Sequence, residues 1–262
     1  MDPSEDWLRR WHDRRAGATS RAFLRAKPST YEWLAGHAQP GDRVLDLACG
    51  DGALLALIRE RGALGAVGID MSEGELSAAR ERLGPEANLV RGRAQALPFE
   101  DASFDLVTCH LALMLMRPVE EALAEVRRVL RPGGTFAAIV GGGMVGPAED
   151  AWSRMVQRIR EEPFDGPSIG DRRAFSEEGL RELLQPFANV RIESLFVDLA
   201  GTPEQVLAAF RETYDADRIA PARLAAIEEA LLADWQALLR PDGMLPCSLG
   251  TRWITATTEA PR

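Results

Sequence analysis

The stretch VLDLACGDG, residues 44–52, decides the fold of this chain. It places Asp46 at the end of an apolar run and follows it with Gly50 and Gly52. In an open α/β sheet, ligands bind outside the carboxyl ends of the strands, where a strand turns into its helix. Glycine permits unusual backbone angles at such a turn and lets a ligand approach the main chain closely. The stretch therefore predicts a strand, a ligand-binding turn and a helix.

Strand and helix patterns alternate on both sides of this stretch. The predicted strands cover residues 42–48, 66–71, 88–94, 103–111 and 135–142. The predicted helices cover residues 53–62, 72–84 and 119–134. Ser72 and Glu75 are spaced as a capping box at the start of the second helix. Units at this spacing predict parallel strands that are joined by right-handed crossovers.

The pattern changes after Gly143, where helix-like segments dominate. They cover residues 148–162, 202–219 and 222–239, and strand-like segments cover residues 189–200 and 249–258. We expect the last strand to complete the sheet at its edge and the helices to form a lid above the strand ends. The predicted fold class is α/β: a Rossmann-like parallel sheet of about seven strands with an antiparallel edge strand, flanked by helices, plus a helical cap.

Composition and charge exclude several classes of protein. With 46% hydrophobic and 27% charged residues, the chain has no apolar run near the roughly 18 residues that span a bilayer. No secretory signal is apparent, so we expect a cytoplasmic protein without membrane insertion. A formal charge of −9 opposes binding to nucleic acid. Cys49, Cys109 and Cys247 suggest neither a disulfide nor a metal site. The sequence does not decide the oligomeric state, and a homodimer is one possibility.

A dinucleotide is the main competitor for the glycine turn. Asp70 lies 20 residues after Gly50, as the acid that binds ribose does in a dinucleotide fingerprint. The third glycine of that fingerprint would fall at Leu55, whose bulk opposes the close packing that a pyrophosphate site needs. The carboxylate of Asp46 would also repel phosphates and attract a positive group. The residues therefore predict a cationic nucleoside and disfavour a nicotinamide-dependent oxidoreductase.

Four motifs in order resemble the class I S-adenosylmethionine-dependent methyltransferases over residues 40–142. They are VLDLACGDG (44–52), GIDMS (68–72), GRAQALPFEDASFDLV (92–107) and EALAEVRRVLRPGG (121–134). The resemblance is closest to the small-molecule branch that includes the ubiquinone/menaquinone methyltransferases. It implies S-adenosylmethionine as cofactor, S-adenosylhomocysteine as product and a small-molecule substrate. It does not extend to the last third of the chain.

The resemblance also implies which residues bind the cofactor. Those at the methionine part, the ribose, the adenine ring and its edge are Asp46, Ala48, Gly50, Gly52, Asp70, Met71, Ala94 and Gln95, together with Cys109. The family's usual acid at the adenine amine is replaced by Arg93, which cannot accept a hydrogen bond. Either a backbone carbonyl or Gln95 then serves the amine, or adenine recognition is looser than usual.

Catalytic and substrate-binding residues are hypotheses on weaker patterns. His110 follows the fourth strand, where a general base for O-methylation could sit, but it could instead only bind the loop or the cofactor. His12 is the second catalytic candidate, and Tyr31, Trp152 and Tyr214 are candidates near the substrate, against the alternative that all four are core residues. Arg172 and Arg173 would bind an anionic substrate group unless they are simply solvated.

The predicted function is methyl transfer to an O, N or C atom of a small acceptor, mainly by positioning. The alternative is a protein of the same fold that binds the cofactor without methyl transfer, as a cyclase or a binding module. The predicted units are an N-terminal helical flap over 1–36, a cofactor-binding core over 37–143, cap helices over 144–248 and a final strand with its tail over 249–262.

Overall fold

A computed structural model describes residues 2–141, 150–160 and 162–259. The strands are β1 Arg43–Leu47, β2 Gly65–Asp70, β3 Asn88–Arg91, β4 Phe104–His110, β5 Leu130–Gly141, β6 Ala188–Asp198 and β7 Ser248–Thr257. The helices are α1 Pro3–Arg14, α2 Ala18–Phe23, α3 Thr30–Ala35, α4 Ala53–Glu60, α5 Glu73–Leu83, α6 Val119–Val129, α7 Ala151–Ile159, α8 Glu177–Leu183, α9 Pro203–Arg211, α10 Tyr214–Asp217 and α11 Pro221–Trp235. No helix within the described ranges is long and apolar enough to cross a membrane.

In the described part of the chain, seven strands form one mixed sheet in the order β3-β2-β1-β4-β5-β7-β6. Strands β1 to β5 run parallel, and β7 is antiparallel to both β5 and β6. The predicted fold class is confirmed. The predicted position of the last strand is wrong, because β7 inserts between β5 and β6 and leaves β6 outermost. The chain order of these two strands therefore differs from their order in the sheet.

Two predicted helices have different bounds in the structure. The helix predicted over 119–134 ends at Val129, because Leu130 already pairs with Phe104 in the sheet. The helix predicted over 202–219 is broken into α9 and α10, and Thr213 caps the second piece by accepting a hydrogen bond from the Ala216 amide. Parts of the segments predicted over 135–142 and 148–162 lie outside the described residues.

The core lies on both faces of the sheet, as expected for parallel strands that are covered by helices. In β1, Val44, Leu45 and Leu47 are buried, and Leu55 of α4 packs over Gly68 of β2. A Cβ atom at Gly68 would lie 3.0 Å from Leu55 Cδ2. The close contact between helix and strand thus uses a glycine of the strand, so the bulk of Leu55 does not hold α4 away.

The N-terminal helices cover the carboxyl ends of the strands. Asp13 Oδ1 accepts hydrogen bonds from Ser72 Oγ at 2.8 Å and from the Gly74 amide at 3.2 Å. A Cβ atom at Gly74 would lie 2.6 Å from the carbonyl oxygen of Asp13, so α1 approaches α5 closely enough to require glycine there. This contact places the residues of α1 next to the turn that follows β1.

Candidate functional site

A cavity lies at the carboxyl ends of β1, β2 and β4, beneath α1 and α2. It collects seven of the nine residues predicted to bind a cofactor, which are Asp46, Ala48, Gly50, Asp70, Met71, Ala94 and Gln95. His12, Tyr31, His110 and Tyr214 also line it. Of the predicted cofactor residues, Gly52 and Cys109 are not among the described lining residues. We call this space the first cavity.

The glycine turn and Asp70 form one hydrogen-bonded unit. Gly50 has a φ of +53°, and its amide donates to Asp70 Oδ2 at 3.0 Å. The other carboxylate oxygen, Oδ1, accepts from the Ser72 amide at 2.8 Å. Burial is the largest influence on Asp70 and raises its pKa, while nearby His12 and the two amides oppose that rise. The turn and the end of β2 are therefore held together by this carboxylate.

Gly52 has a structural role that differs from that of Gly50. Its φ is +75°, a region that favours glycine, and a Cβ atom there would lie 2.8 Å from Leu83 Cδ1 and 3.2 Å from Ala79 Cβ. The first glycine of the turn lines the cavity, and the second lets α4 pack against α5. Cys109 is fully buried in the sheet.

Asp46 is a buried carboxylate with an unused oxygen. It is 1% exposed, and Oδ1 accepts a hydrogen bond from Thr108 Oγ1 at 2.9 Å. Oδ2 has no hydrogen-bond partner among the described residues. Burial raises the pKa of Asp46 to about 7, with smaller contributions from Asp70 and Asp51. A ligand with a positive group would satisfy the free oxygen and favour the ionised carboxylate.

The first cavity as a whole is acidic. Among the described lining residues, five carboxylates face a single arginine, Arg93; they are Glu5, Asp46, Asp51, Asp70 and Glu75. Asp51 accepts from Ser20 Oγ at 2.6 Å and pairs with Arg82. This charge balance suits a cationic ligand and opposes the phosphates of a dinucleotide.

A chain of hydrogen bonds crosses the first cavity from α5 to α10. Glu75 Oε1 lies 2.8 Å from His12 Nδ1, and His12 Nε2 lies 2.9 Å from the hydroxyl of Tyr214. The second oxygen of Glu75 accepts from the Gly17 amide at 2.8 Å. Glu75 does not complete the predicted capping box: Ser72 caps α5, but the Glu75 side chain turns to His12 and Gly17.

His110 has an apolar setting. Its Nε2 atom lies 2.9 Å from Thr30 Oγ1, and its ring packs on Tyr31 with the centroids 4.1 Å apart. Burial lowers the pKa of His110 to about 3. The imidazole is therefore neutral at physiological pH and is a weak base.

Arg93 is paired with an acid from the N-terminal helix. Its guanidinium binds Glu5 in a bidentate manner, with Nε at 2.9 Å and Nη2 at 2.7 Å from the two carboxylate oxygens. Glu5 is buried and lines the same cavity as Met71 and Ala94. An acid thus lies near the position where the sequence has replaced one by arginine.

A second, larger cavity adjoins the first. Its apolar lining includes Phe23, Trp152, Met155, Phe164 and Phe175. Thr19, Leu111, Leu115 and Tyr214 line both cavities. Of the predicted substrate residues, Trp152 lies in the second cavity, Tyr31 in the first and Tyr214 between them. Within the described ranges, no group of three or more acidic, histidine or cysteine side chains is arranged to hold a metal.

Comparison with known proteins agrees with this geometry. Residues 45–138 match the family model described as a methyltransferase domain. The match assigns residues 45–138 to a methyltransferase domain. The resemblance predicted from the four motifs is confirmed, and S-adenosylmethionine is the cofactor of the class that they resemble.

The methyltransferase domain has curated relatives of the predicted small-molecule branch. The chain is 39% identical over 110 residues to a demethylmenaquinone methyltransferase of Symbiobacterium thermophilum and 47% identical over 104 residues to the ubiquinone/menaquinone biosynthesis C-methyltransferase of Xanthomonas oryzae. These matches cover 39% and 37% of this chain. The chain spans less than half the length of these relatives, 44% and 41%.

The fold beyond the matched domain is also shared with solved structures. The YcgJ protein of Bacillus superposes with a TM-score of 0.60 over 88% of this chain and 98% of that one, at 18% sequence identity. At this identity the likeness concerns the fold alone.

Several polar residues that line the first cavity are not predicted from the sequence. Glu5, Asp51 and Glu75 line the first cavity, but their partners lie far away in the chain. The available signal for Glu75 was its place three residues beyond the end of GIDMS and its proximity to Asp70 in the chain, and it predicted only a helix cap. The sequence carries no local signal that Glu5 would face Arg93.

Proposed function

We propose that this protein transfers a methyl group from S-adenosylmethionine in the first cavity to a small organic acceptor in the second. The observation that carries the proposal is the wall that the two cavities share. Thr19, Leu111, Leu115 and Tyr214 line both, so a ligand in one can meet a ligand in the other at this boundary. An in-line displacement needs such an arrangement, with donor and acceptor aligned and water excluded.

The acidic first cavity supports S-adenosylmethionine as the donor. When bound, this cofactor supplies a methyl carbon that is activated by a positive sulfur. Asp46 offers a buried oxygen without a described partner to a positive group, and Asp70 offers carboxylate oxygens to ribose hydroxyls. Met71, Ala94 and Gln95 line the same cavity, and in this proposal they contact the adenine.

An acceptor that loses a proton on methylation needs a group to receive it. Of the two histidines predicted for this role, His12 is better supported, because Glu75 orients one nitrogen and Tyr214 contacts the other at the boundary of the cavities. His110 has a pKa lowered to about 3, so we assign it a hydrogen-bonding role beside Tyr31 and Thr30. Catalysis then rests mainly on positioning.

A lid over the acceptor accords with the elements that line the second cavity. Side chains from α2, α7 and the segment before α8 line it, and Tyr214 of α10 lies at its inner boundary. We therefore propose that the flap over 1–36 and the cap over 144–248 enclose the acceptor above the core over 37–143. The apolar aromatic walls favour an acceptor with a ring or hydrocarbon body.

Methyl-group counting tests the proposal. The protein is incubated with methyl-labelled S-adenosylmethionine and a panel of small ring-bearing hydroxyl, amine and carbon acceptors. We expect label to appear in an acceptor together with an equal amount of S-adenosylhomocysteine. Asp70→Asn serves as the low-affinity variant. Tight binding of NADH without any response to S-adenosylmethionine or S-adenosylhomocysteine would overturn the proposal.

The alternative from sequence is cofactor binding without methyl transfer. Calorimetry and the labelling experiment separate the two functions. Stoichiometric binding of S-adenosylmethionine whose label never leaves the cofactor, across the whole panel, would favour the alternative. We favour transfer because four residues line both cavities, so that donor and acceptor would meet there.

A further inference from the structure

The two cavities differ in charge, although they share a wall. The first is lined by five carboxylates and one arginine among its described residues. The second is lined by three arginines, Arg160, Arg172 and Arg218, and by two carboxylates, Glu212 and Asp215. In a chain with a formal charge of −9, a cavity with more arginines than acids stands out from the average surface. The excess positive charge points to the kind of ligand that enters there.

The two carboxylates of the second cavity already have cationic partners. Glu212 Oε2 lies 2.9 Å from Arg21 Nη2, and Asp215 Oδ1 lies 3.9 Å from Arg218 Nη1. Arg218 is itself held, because it also donates to the carbonyl oxygens of Asp165 and Pro167. Each acid therefore has an arginine beside it that offsets part of its negative charge.

Arg160 and Arg172 are different. No ion pair or side-chain hydrogen bond joins either of them to another residue of the described ranges, and both are exposed at the rim. The adjacent Arg173 shows the contrast, since it pairs with Asp171 and Glu120. Two guanidinium groups at the rim of an apolar cavity thus have no acceptor among the described residues, and arginine has suitable donor geometry for an anion.

We infer that the second cavity binds an organic anion whose apolar body contacts Trp152, Phe164 and Phe175 and whose anionic group is bound by Arg160 and Arg172. The inference rests on the proposed function in one respect: this anion is the methyl acceptor. This ligand differs from a neutral quinone ring, which has no negative charge for the two guanidinium groups to bind. It also gives the roles of Arg172 and Arg173 that the sequence left open, because only Arg172 is available.

Two fluorescent dyes with the same aromatic skeleton test the inference. Anilinonaphthalene sulfonate carries an anionic group, and phenylnaphthylamine lacks it. We expect the double variant Arg160→Gln/Arg172→Gln to bind the sulfonate dye at least about fivefold more weakly and the neutral dye within about twofold of wild type. The readout is the dissociation constant of each dye, so no acceptor needs to be known.

Two control variants separate an effect at the cavity from a general effect of lost positive charge. Arg127→Gln/Arg191→Gln removes the same charge from two exposed arginines that do not line the cavity, and it should leave both dyes unchanged. Ala22→Phe fills the cavity and should weaken both dyes. An equal loss in the two double variants, or no loss with Ala22→Phe, would overturn the inference.

Binding of S-adenosylhomocysteine is measured on the same samples. If it is absent while the dyes behave as expected, the methyltransferase proposal fails and the anion site remains. If it is intact while the sulfonate dye shows no preference for the wild-type arginines, only the anion site fails.

Discussion

His12 Nδ1 lies 2.8 Å from Glu75 Oε1, although 63 residues separate the two in the chain. The contact joins the N-terminal helix to the helix that follows Asp70, and Tyr214 extends it to the region after the sheet core. Glu75 is 2% exposed, so the α5 end of this chain of hydrogen bonds is fixed in the interior. The N-terminal segment is thus attached at the cavity by polar contacts that only the folded chain can form.

Replacing Glu75 should destabilise the protein more than replacing its exposed neighbour. Glu75→Ala leaves His12 and the buried Gly17 amide without their acceptor, which costs about 1–3 kcal/mol of the free energy of unfolding. Glu73 has a half-exposed side chain, and its pair with Arg80 contributes little, so Glu73→Ala should be nearly neutral. Urea unfolding measures both variants. Equal effects would contradict the role given to Glu75.

Asp70→Asn should weaken the binding of S-adenosylhomocysteine by at least about tenfold. The asparagine keeps one acceptor oxygen but loses the charge that strengthens bonds to ribose hydroxyls, and it disturbs the link to the Gly50 amide. Isothermal titration calorimetry gives the affinity. Asp101→Asn is the control, because that side chain is 78% exposed and lies outside the cavity. Unchanged affinity in Asp70→Asn would remove Asp70 from the site.

Local patterns predicted the first half of the sheet well. The apolar runs around VLDLACGDG are flanked by turn residues, so the predicted bounds of β1, β2, β4 and α4 lie within about two residues of the structure. Asp46 and Asp70 follow directly, because the carboxyl ends of parallel strands share one edge. These features depend on residues that are adjacent in the chain, so the sequence alone is enough to predict them.

Long-range pairing explains what the sequence did not predict. The insertion of β7 beside β5 depends on hydrogen bonds between segments that are far apart, such as Ile139 with Trp253. Glu5 pairs with Arg93, which is 88 residues away in the chain, and the local pattern around Glu75 predicts only a helix cap. No periodicity encodes which distant polar group a buried carboxylate will contact.

Gly52→Ala should be more destabilising than Gly243→Ala. Both glycines have positive φ, at +75° and +78°, so both variants carry backbone strain of about 1–2 kcal/mol. Only at Gly52 would the new methyl group also meet Leu83 at 2.8 Å, whereas nothing lies within 4 Å of a Cβ atom at Gly243. Thermal and urea unfolding give the two differences. A larger loss at Gly243 would contradict the packing of α4 on α5.

Asp46 should make stability depend on pH. Its folded pKa of about 7 lies above the value of about 3.9 in an unfolded chain, so the folded state holds the proton more tightly. The contribution of this group to stability is therefore present at low pH and is lost as the pH rises toward 7. Relative to wild type, Asp46→Asn should gain stability between about pH 5 and pH 8, as seen by urea unfolding at each pH. A constant difference would contradict the raised pKa.

The same carboxylate should make cofactor binding weaker in acid. Ionised Asp46 attracts the positive ligand, so below its pKa of about 7 binding must first remove a proton. We expect the affinity for S-adenosylhomocysteine, whose ammonium group stays charged in this range, to fall by up to about tenfold per pH unit below 7. Calorimetry from about pH 5 to pH 8 measures this slope, and Asp46→Asn should bind more weakly at the upper end with a flatter slope. Identical slopes in the two proteins would mean that the Oδ2 atom of Asp46 does not face the ligand, and that the acidic cavity attracts it through its other carboxylates.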